Sequence, residues 1–279
     1  MSSVEREQED LTRKQRREQA REQRKAMEQA AAASAARRTR MTQLGVVVTV
    51  VVVAIVVILV ATSGGGKGGI PASKKAQTSV TKEVAALIGG IPQSGNALGS
   101  PKAPVTLQYF GDLECPICRE FTLGALPGVI SKFVRAGKVR IEYHSMETAT
   151  REPEVFKSQQ VAAYAAGKQS KAWYFIETFY HEQGEEDSGY VTEKYIQGIA
   201  SQVPGLNLST WSSDRGDNEL SNEVETDKQV ANSQGFEGTP SFLIGKTGGG
   251  TEKITELSEN DLHEASALFD PKIEKLLAS

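Results

Sequence analysis

Cysteine is almost absent from this chain, which has only two in 279 residues. A framework of structural disulfides is therefore excluded, because the one possible bridge would close a loop of two residues and constrain the unfolded chain very little. Histidine is also scarce. A structural zinc site needs about four ligands, and the three histidines have no paired metal-ligand spacing: His144, His181 and His263.

The two cysteines lie together as Cys115-Pro116-Ile117-Cys118, directly after the strand-like run 105–110. A thiol pair with this spacing at a strand-to-helix junction favours redox chemistry, with metal binding or an inert pair as the alternatives. Unpaired N–H groups and the helix dipole at this position stabilise a thiolate, so Cys115 is predicted to have a lowered pKa and to attack. Cys118 lies on the same side of the helix and is predicted to resolve the mixed disulfide.

One long uncharged run, 44–62, is almost wholly apolar and has the length of a transmembrane helix. A cleavable signal peptide is the alternative, but the head of 43 residues and the lack of a clear small-x-small site favour a retained anchor. Arg37, Arg38 and Arg40 precede the run. The positive-inside rule therefore predicts a single-pass cell-membrane protein with a cytoplasmic N-terminus and an extracytoplasmic C-terminal part, where disulfides persist.

The predicted organisation has four parts. Residues 1–43 form a charged cytoplasmic tail without an apolar stripe, 44–62 the transmembrane helix, 63–90 a Gly- and Ser-containing linker, and 91–279 the folded domain. The formal net charge of −3 hides this polarity. We expect the basic residues of the tail to fix topology, and binding to anionic lipid or nucleic acid is the less favoured alternative.

The folded domain begins with a strand, a helix and a second strand, predicted over 104–110, 119–135 and 139–144. The helix is expected to bend near Pro127-Gly128. This order favours a βαβ unit.

The rest of the domain is mostly helical up to residue 235, with Trp173 and Trp211 predicted in the core. A hairpin over 240–255 and a C-terminal helix over 260–277, divided at Asp270-Pro271, complete the domain.

Two segments resemble signatures of the thioredoxin superfamily, most of all its DsbA-like branch. Residues 110–118 (FGDLECPIC) resemble the active-site segment, and 238–242 (GTPSF) resemble the cis-proline loop that lies opposite the thiols. About 120 positions separate them, which is consistent with the helical insertion of DsbA-like proteins. The resemblance implies an α/β thioredoxin fold over 91–279, with a helical insertion at about 152–236.

The resemblance also implies roles for individual residues. Cys115 is expected to be the catalytic nucleophile and Cys118 the resolving thiol, with Pro116 and Ile117 tuning the redox couple. Pro240 is expected to be the cis residue that holds Thr239 so that its backbone pairs with an extended substrate. No cofactor is expected. The expected partners are exported proteins with cysteines and a membrane redox partner, which the family suggests is quinone-linked.

The chain departs from the family pattern in two places. Many relatives carry a buried acid six residues before the first cysteine, where this chain has Tyr109. Asp112 and Glu114 are nearer, and we expect them to form a turn and to carry solvated charge, with proton transfer as the alternative. Ile117 cannot donate a hydrogen bond to the thiolate, which predicts an intermediate reduction potential.

The leading hypothesis is a membrane-tethered, extracytoplasmic thiol-disulfide oxidoreductase that forms or exchanges disulfides in exported proteins. A disulfide reductase or isomerase is an alternative, because the direction of electron flow is not written in the motif. A polypeptide-binding or metal-binding module is the alternative from another class.

Overall fold

The computed structural model describes residues 74–255, 257–265 and 268–279. The predicted tail, 1–43, and the predicted membrane span, 44–62, lie outside the described residues, as does the start of the linker. Among the helices that are described, none is long and apolar enough to cross a membrane.

A six-stranded sheet forms the centre of the domain, in the order β1-β2-β4-β3-β5-β6. The strands β3 and β4 are parallel, and all other neighbours are antiparallel. The predicted βαβ unit and the predicted hairpin are therefore confirmed. The strand bounds are β1 Gln93–Ser94, β2 Ala97–Leu98, β3 Val105–Gly111, β4 Val139–Ser145, β5 Ser241–Lys246 and β6 Thr251–Ile254.

Helices cover the sheet, and nearly every residue of β3 is buried, as expected for a central strand between two layers. Five of the helices, α4 to α8, occupy the predicted insertion. Trp173 and Trp211 are both buried there, as predicted. The helix bounds are α1 Lys74–Ile88, α2 Pro116–Leu123, α3 Leu126–Val129, α4 Pro153–Gly167, α5 Ala172–His181, α6 Glu193–Gln202, α7 Leu208–Asp214, α8 Asn218–Ser233, α9 Glu259–His263 and α10 Phe269–Ala278.

Helix α1 lies within the segment predicted to be a linker, 63–90. Its Val84 and Ile88 are buried in the main hydrophobic core, and the guanidinium of Arg135 donates to the carbonyl oxygens of Leu87 and Gly89. The folded part of the chain therefore begins before the predicted start at residue 91. Sequence composition did not reveal this, because only one face of the helix is apolar.

The break after the active-site helix lies at Gly124, slightly before the predicted bend at Pro127-Gly128. The N–H of Ala125 donates to the carbonyl of Leu262 at 3.0 Å, and a Cβ at Gly124 would lie 2.5 Å from that same oxygen. Contact with α9 therefore ends α2 here. Pro127 lies in the first turn of α3, where no N–H is needed.

The C-terminal helical stretch is divided before Phe269 and not at Asp270-Pro271. Pro271 is the third residue of α10, and a proline in the first turn removes an N–H that has no helical partner. Pro271 therefore lies in the first turn of α10, at the place where the sequence pattern predicted a division between two helices.

A buried carboxylate joins the end of β4 to α8. Asp227 Oδ1 lies 2.7 Å from His144 Nδ1, and Oδ2 accepts hydrogen bonds from the N–H of Ser145 at 2.8 Å and from the hydroxyl of Tyr164. Burial lowers the pKa of His144, but its hydrogen bonds with Asp227 and Glu142 outweigh burial and raise it to about 9. This pair fixes the insertion to the sheet.

Candidate active site

The two cysteines lie at the N-terminal end of α2, where the carboxyl end of β3 leads into the helix. Cys115 is the N-cap residue, and its Sγ accepts a hydrogen bond from the N–H of Cys118 at 3.3 Å. Pro116 opens the helix, and its fixed φ suits this position. Both thiols are free and both residues are buried, Cys115 with 5% of its surface exposed and Cys118 with none.

The two thiols have opposite pKa shifts. A hydrogen bond from the Cys118 thiol is the main cause that lowers the pKa of Cys115 to about 7, against the effect of burial, and Thr239 and backbone N–H groups contribute. Burial, and next the hydrogen bond with Cys115, raises the pKa of Cys118 well above its ordinary value. Cys115 is therefore the sulfur that ionises near neutral pH. Its lowered pKa was predicted, although the leading cause is the partner thiol and not the helix end.

The cis-proline loop lies directly against Cys115. The Thr239-Pro240 peptide bond is cis, as the resemblance implied. The thiol of Cys115 donates to the carbonyl oxygen of Thr239 at 3.5 Å. The loop precedes β5, which pairs with β3, and this pairing brings two segments far apart in sequence to the same edge of the sheet.

Ile117 is exposed two residues after Cys115. Its side chain is 42% exposed, whereas most large apolar side chains of the described part are buried. It lines a groove of about 930 Å³ that extends along the cis-proline loop. A smaller groove of about 480 Å³ is lined by Pro116 and Arg119 of the same helix.

Asp112 is a positioning residue that sequence reasoning misassigned. Its carboxylate is buried and accepts hydrogen bonds from the N–H groups of Thr148, Ala149 and Thr150 at 2.9–3.0 Å, and from the Thr150 hydroxyl at 2.6 Å. It also accepts from the N–H of Glu114, so the predicted turn is confirmed. The predicted solvated charge is wrong.

Glu114 is also buried, and burial is the main cause that raises its pKa. Its Oε2 accepts a hydrogen bond from Gln159 at 3.4 Å. The expectation of a solvated charge is therefore wrong at this position too.

The segment held by Asp112 contacts the cis-proline loop in turn. Thr148 Oγ1 lies 2.6 Å from Thr239 Oγ1. Asp112 is thus connected to the residue whose carbonyl meets Cys115. The parallel pairing of β3 and β4 could have indicated this contact, because the carboxyl ends of both strands meet at one edge of the sheet.

Tyr109 lies six residues before Cys115, at the position for which the family resemblance implies a buried acid. Its hydroxyl lies 3.3 Å from the Cys118 carbonyl oxygen, 3.1 Å from Thr122 Oγ1 and 3.2 Å from the hydroxyl of Tyr180. Burial raises its pKa well above the ordinary value. A neutral hydroxyl network, and not a carboxylate, therefore lies beneath the thiols.

Comparisons with known proteins agree with the thioredoxin fold that the sequence predicted. A family model described as thioredoxin matches residues 93–260. The chain is also similar to a Bacillus anthracis protein named probable disulfide bond formation protein D. The two are 24% identical over 149 residues, which cover 53% of this chain and 68% of the relative.

Two solved structures share the fold. The crystal structure of oxidised BdbD from Bacillus subtilis superposes with a TM-score of 0.55 at 21% identity, covering 69% of this chain and 99% of that one. The alpha-DsbA1 structure from Wolbachia pipientis has a TM-score of 0.52 at 19% identity, covering 66% of this chain and 90% of the other. Both likenesses support the predicted thioredoxin fold.

Proposed function

The chain belongs to the thioredoxin family, and we propose that it is a membrane-tethered, extracytoplasmic thiol-disulfide oxidoreductase that acts on exported proteins. The observation that carries the proposal is the pairing of a Cys115 thiol of lowered pKa with a buried Cys118 thiol, beside the Thr239 carbonyl. The names of the relatives, disulfide bond formation protein and DsbA, support the same chemistry.

The reaction proceeds by two thiol-disulfide exchanges. A substrate thiolate attacks Sγ of Cys115 in the oxidised protein, forming a mixed disulfide and releasing Cys118 as a thiolate that takes up a proton. A second substrate thiolate then attacks the substrate sulfur of this mixed disulfide and releases Cys115. The substrate gains one disulfide, and two electrons pass to the cysteine pair.

The structure suits Cys115 to the role of leaving group. A thiol of lower pKa leaves faster, and the pKa of Cys115 is lowered to about 7. Cys115 is 5% exposed and Cys118 is not exposed at all, so a substrate sulfur reaches Cys115 first. Thr239 and Pro240 lie beside it, and we propose that the Thr239 backbone pairs with an extended substrate segment.

The tether and the location rest on the sequence. The apolar run 44–62 and the preceding arginines support a single span with the cysteine pair outside the cytoplasm. The reduced pair must then be reoxidised, and we assign this step to a quinone-linked membrane redox partner that accepts two electrons.

A reductase or isomerase is the second candidate function, favoured by one observation. Ile117 has no side-chain donor, so the Cys115 thiolate lacks one source of stabilisation, and a less stabilised thiolate gives a less oxidising couple. The equilibrium of the cysteine pair with glutathione separates the two functions. A strongly reducing couple would favour the reductase.

Trapping of mixed disulfides tests the proposal in cells. In the Cys118→Ala variant, Cys115 can still attack a protein disulfide and form a mixed disulfide, but no thiol at position 118 is present to attack that bond. We therefore expect covalent adducts with exported cysteine-containing proteins that accumulate and disappear on reduction. The matched Cys115→Ala variant should form none. A Cys118→Ala variant without adducts would contradict the proposed function, and stoichiometric copper or zinc binding by the reduced chain would favour a metal-binding module.

A further inference from the structure

The larger groove beside Cys115 has an apolar floor. It runs from Ile117 along Pro240 to Phe236, Leu257 and Leu262 and has a volume of about 930 Å³. Such a groove accommodates several residues of an extended polypeptide, which spans about 3.3 Å per residue. The apolar floor can therefore contact apolar side chains of a bound segment.

The rim of this groove carries unpaired negative charge. Glu120, Glu237 and Glu259 line it, and all three are exposed. Within the described residues, none of these carboxylates makes a hydrogen bond or an ion pair through its side chain. They are therefore available to a cation supplied from outside the chain.

The basic residue of the same rim is already engaged. Lys253 Nζ donates to the carbonyl oxygens of Gln234 at 3.1 Å and Gly235 at 3.0 Å, and it lies 4.6 Å from the centre of the Phe236 ring. These contacts fix Lys253 at one wall, where it does not pair with the three carboxylates. The rim therefore keeps an excess of negative charge.

The smaller groove, which is lined by Pro116, has the same sign of charge. Glu120 also lines this groove, together with Glu185 and Glu186. Its basic residue, Arg119, donates through Nε to the carbonyl of Tyr180 at 3.0 Å. A polypeptide that lies in either groove next to Cys115 thus meets carboxylates.

We propose that the polypeptides that react at Cys115 carry lysine or arginine within a few residues of their reactive cysteine, next to apolar side chains that contact the groove floor. This inference rests on the proposed function and specifies the substrate class of the same site. Each exposed charge pair contributes only modestly, roughly two- to fivefold. Several such pairs along one bound segment are sufficient to select among substrates.

Two dithiol peptides test the inference directly. They share one sequence with two cysteines and differ only in the residues that flank the reactive cysteine, which are lysine in one and glutamate in the other. With the oxidised full chain in a single turnover, we expect the lysine peptide to be oxidised at least about fivefold faster at about 0.02 M salt. The ratio should approach one at about 0.5 M salt, where screening is strong.

Matched variants place the effect in the groove. The triple variant Glu120→Gln, Glu237→Gln and Glu259→Gln should remove most of the preference for the lysine peptide. The control triple variant has the same change in net charge: Glu154→Gln, Glu219→Gln and Glu225→Gln. It should retain the preference for the lysine peptide, because these residues line neither of the two grooves.

The outcomes separate the two proposals. Equal rates for the two peptides at low salt, with both oxidised, would overturn the charge preference and leave the oxidoreductase function intact. A preference lost equally in the control triple variant would also overturn it, because net charge would then be the cause. If neither peptide is oxidised, both proposals fail.

Discussion

Removal of the Cys118 thiol should raise the pKa of Cys115. A hydrogen bond from Cys118 is the main cause that lowers this pKa to about 7. In a Cys118→Ala variant the backbone N–H at position 118, 3.3 Å from Sγ of Cys115, and the side-chain hydrogen bond with Thr239 remain and lower the pKa, whereas burial raises it. We therefore expect the pKa to rise from about 7 toward the ordinary value of 9.0.

The full shift of two units corresponds to about 2.7 kcal/mol of thiolate stabilisation. If all of it were lost, the thiolate fraction of Cys115 at pH 7 would fall from about one half to about 1%. A thiolate of higher pKa is also intrinsically more nucleophilic, by about eightfold over two units, so the reaction rate at pH 7 would fall only about sixfold. The midpoint of the pH profile is therefore a cleaner measurement than a single rate.

The assay is the rate of alkylation of the reduced full chain by iodoacetamide between pH 5 and pH 10. Wild-type Cys115 should titrate with a midpoint near 7, and the alanine variant with a higher one. A Cys118→Ser variant is the matched control, because its hydroxyl can donate the same hydrogen bond and should keep the midpoint closer to that of the wild type. An alanine variant that still titrates near 7 would refute the reasoning, since backbone groups alone would then set the pKa.

Three further predictions concern the surroundings of the thiols and the stability of the domain. Asp112→Ala leaves several buried donors unpaired and should lower the free energy of unfolding by about 3–5 kcal/mol in urea titrations. The control Glu186→Ala should change this free energy by less than about 0.5 kcal/mol. Similar values for both variants would contradict the role of Asp112. Ile117→His adds a donor and should make the couple more oxidising at equilibrium with glutathione, and an unchanged potential in that variant would argue against the account of Ile117. The third prediction concerns His144 in the oxidised protein, where neither thiol titrates. His144 has a raised pKa in the folded state, so its stabilisation is present below the unfolded pKa and is lost as the pH rises through the folded pKa. The free energy of unfolding should therefore fall by up to about 3 kcal/mol as the pH rises from 6.5 to about 9. Asp227→Asn should flatten this dependence, and a flat wild-type profile would show that the pair does not contribute.

The sequence predicted those parts of the site that depend on local pattern. The strand, the proline and the spacing of the cysteines place Cys115 at a helix N-terminus, and the resemblance to a known family supplied the loop at Thr239 and Pro240. These features depend on short segments that carry their own signal.

Other parts of the site depend on contacts between distant segments. The burial of Asp112 requires donors from residues 148–150, which are 36–38 positions away, and the break at Gly124 requires the carbonyl of Leu262. An aspartate in a turn and a glycine near a proline look the same in sequence with or without these partners. Contacts between distant segments therefore determine the burial of Asp112 and the end of α2, and the local sequence pattern does not contain them.

Oxidation of a reduced, unfolded protein by the full chain tests the central claim most directly. The protein is purified in detergent, its cysteine pair is oxidised, and the disulfides gained by the substrate protein are counted against the thiols gained by the chain. We predict one substrate disulfide for each reduced Cys115-Cys118 pair, and none with the Cys115→Ala variant. Substrate oxidation that persists in that variant, or no oxidation by the wild type, would contradict the account.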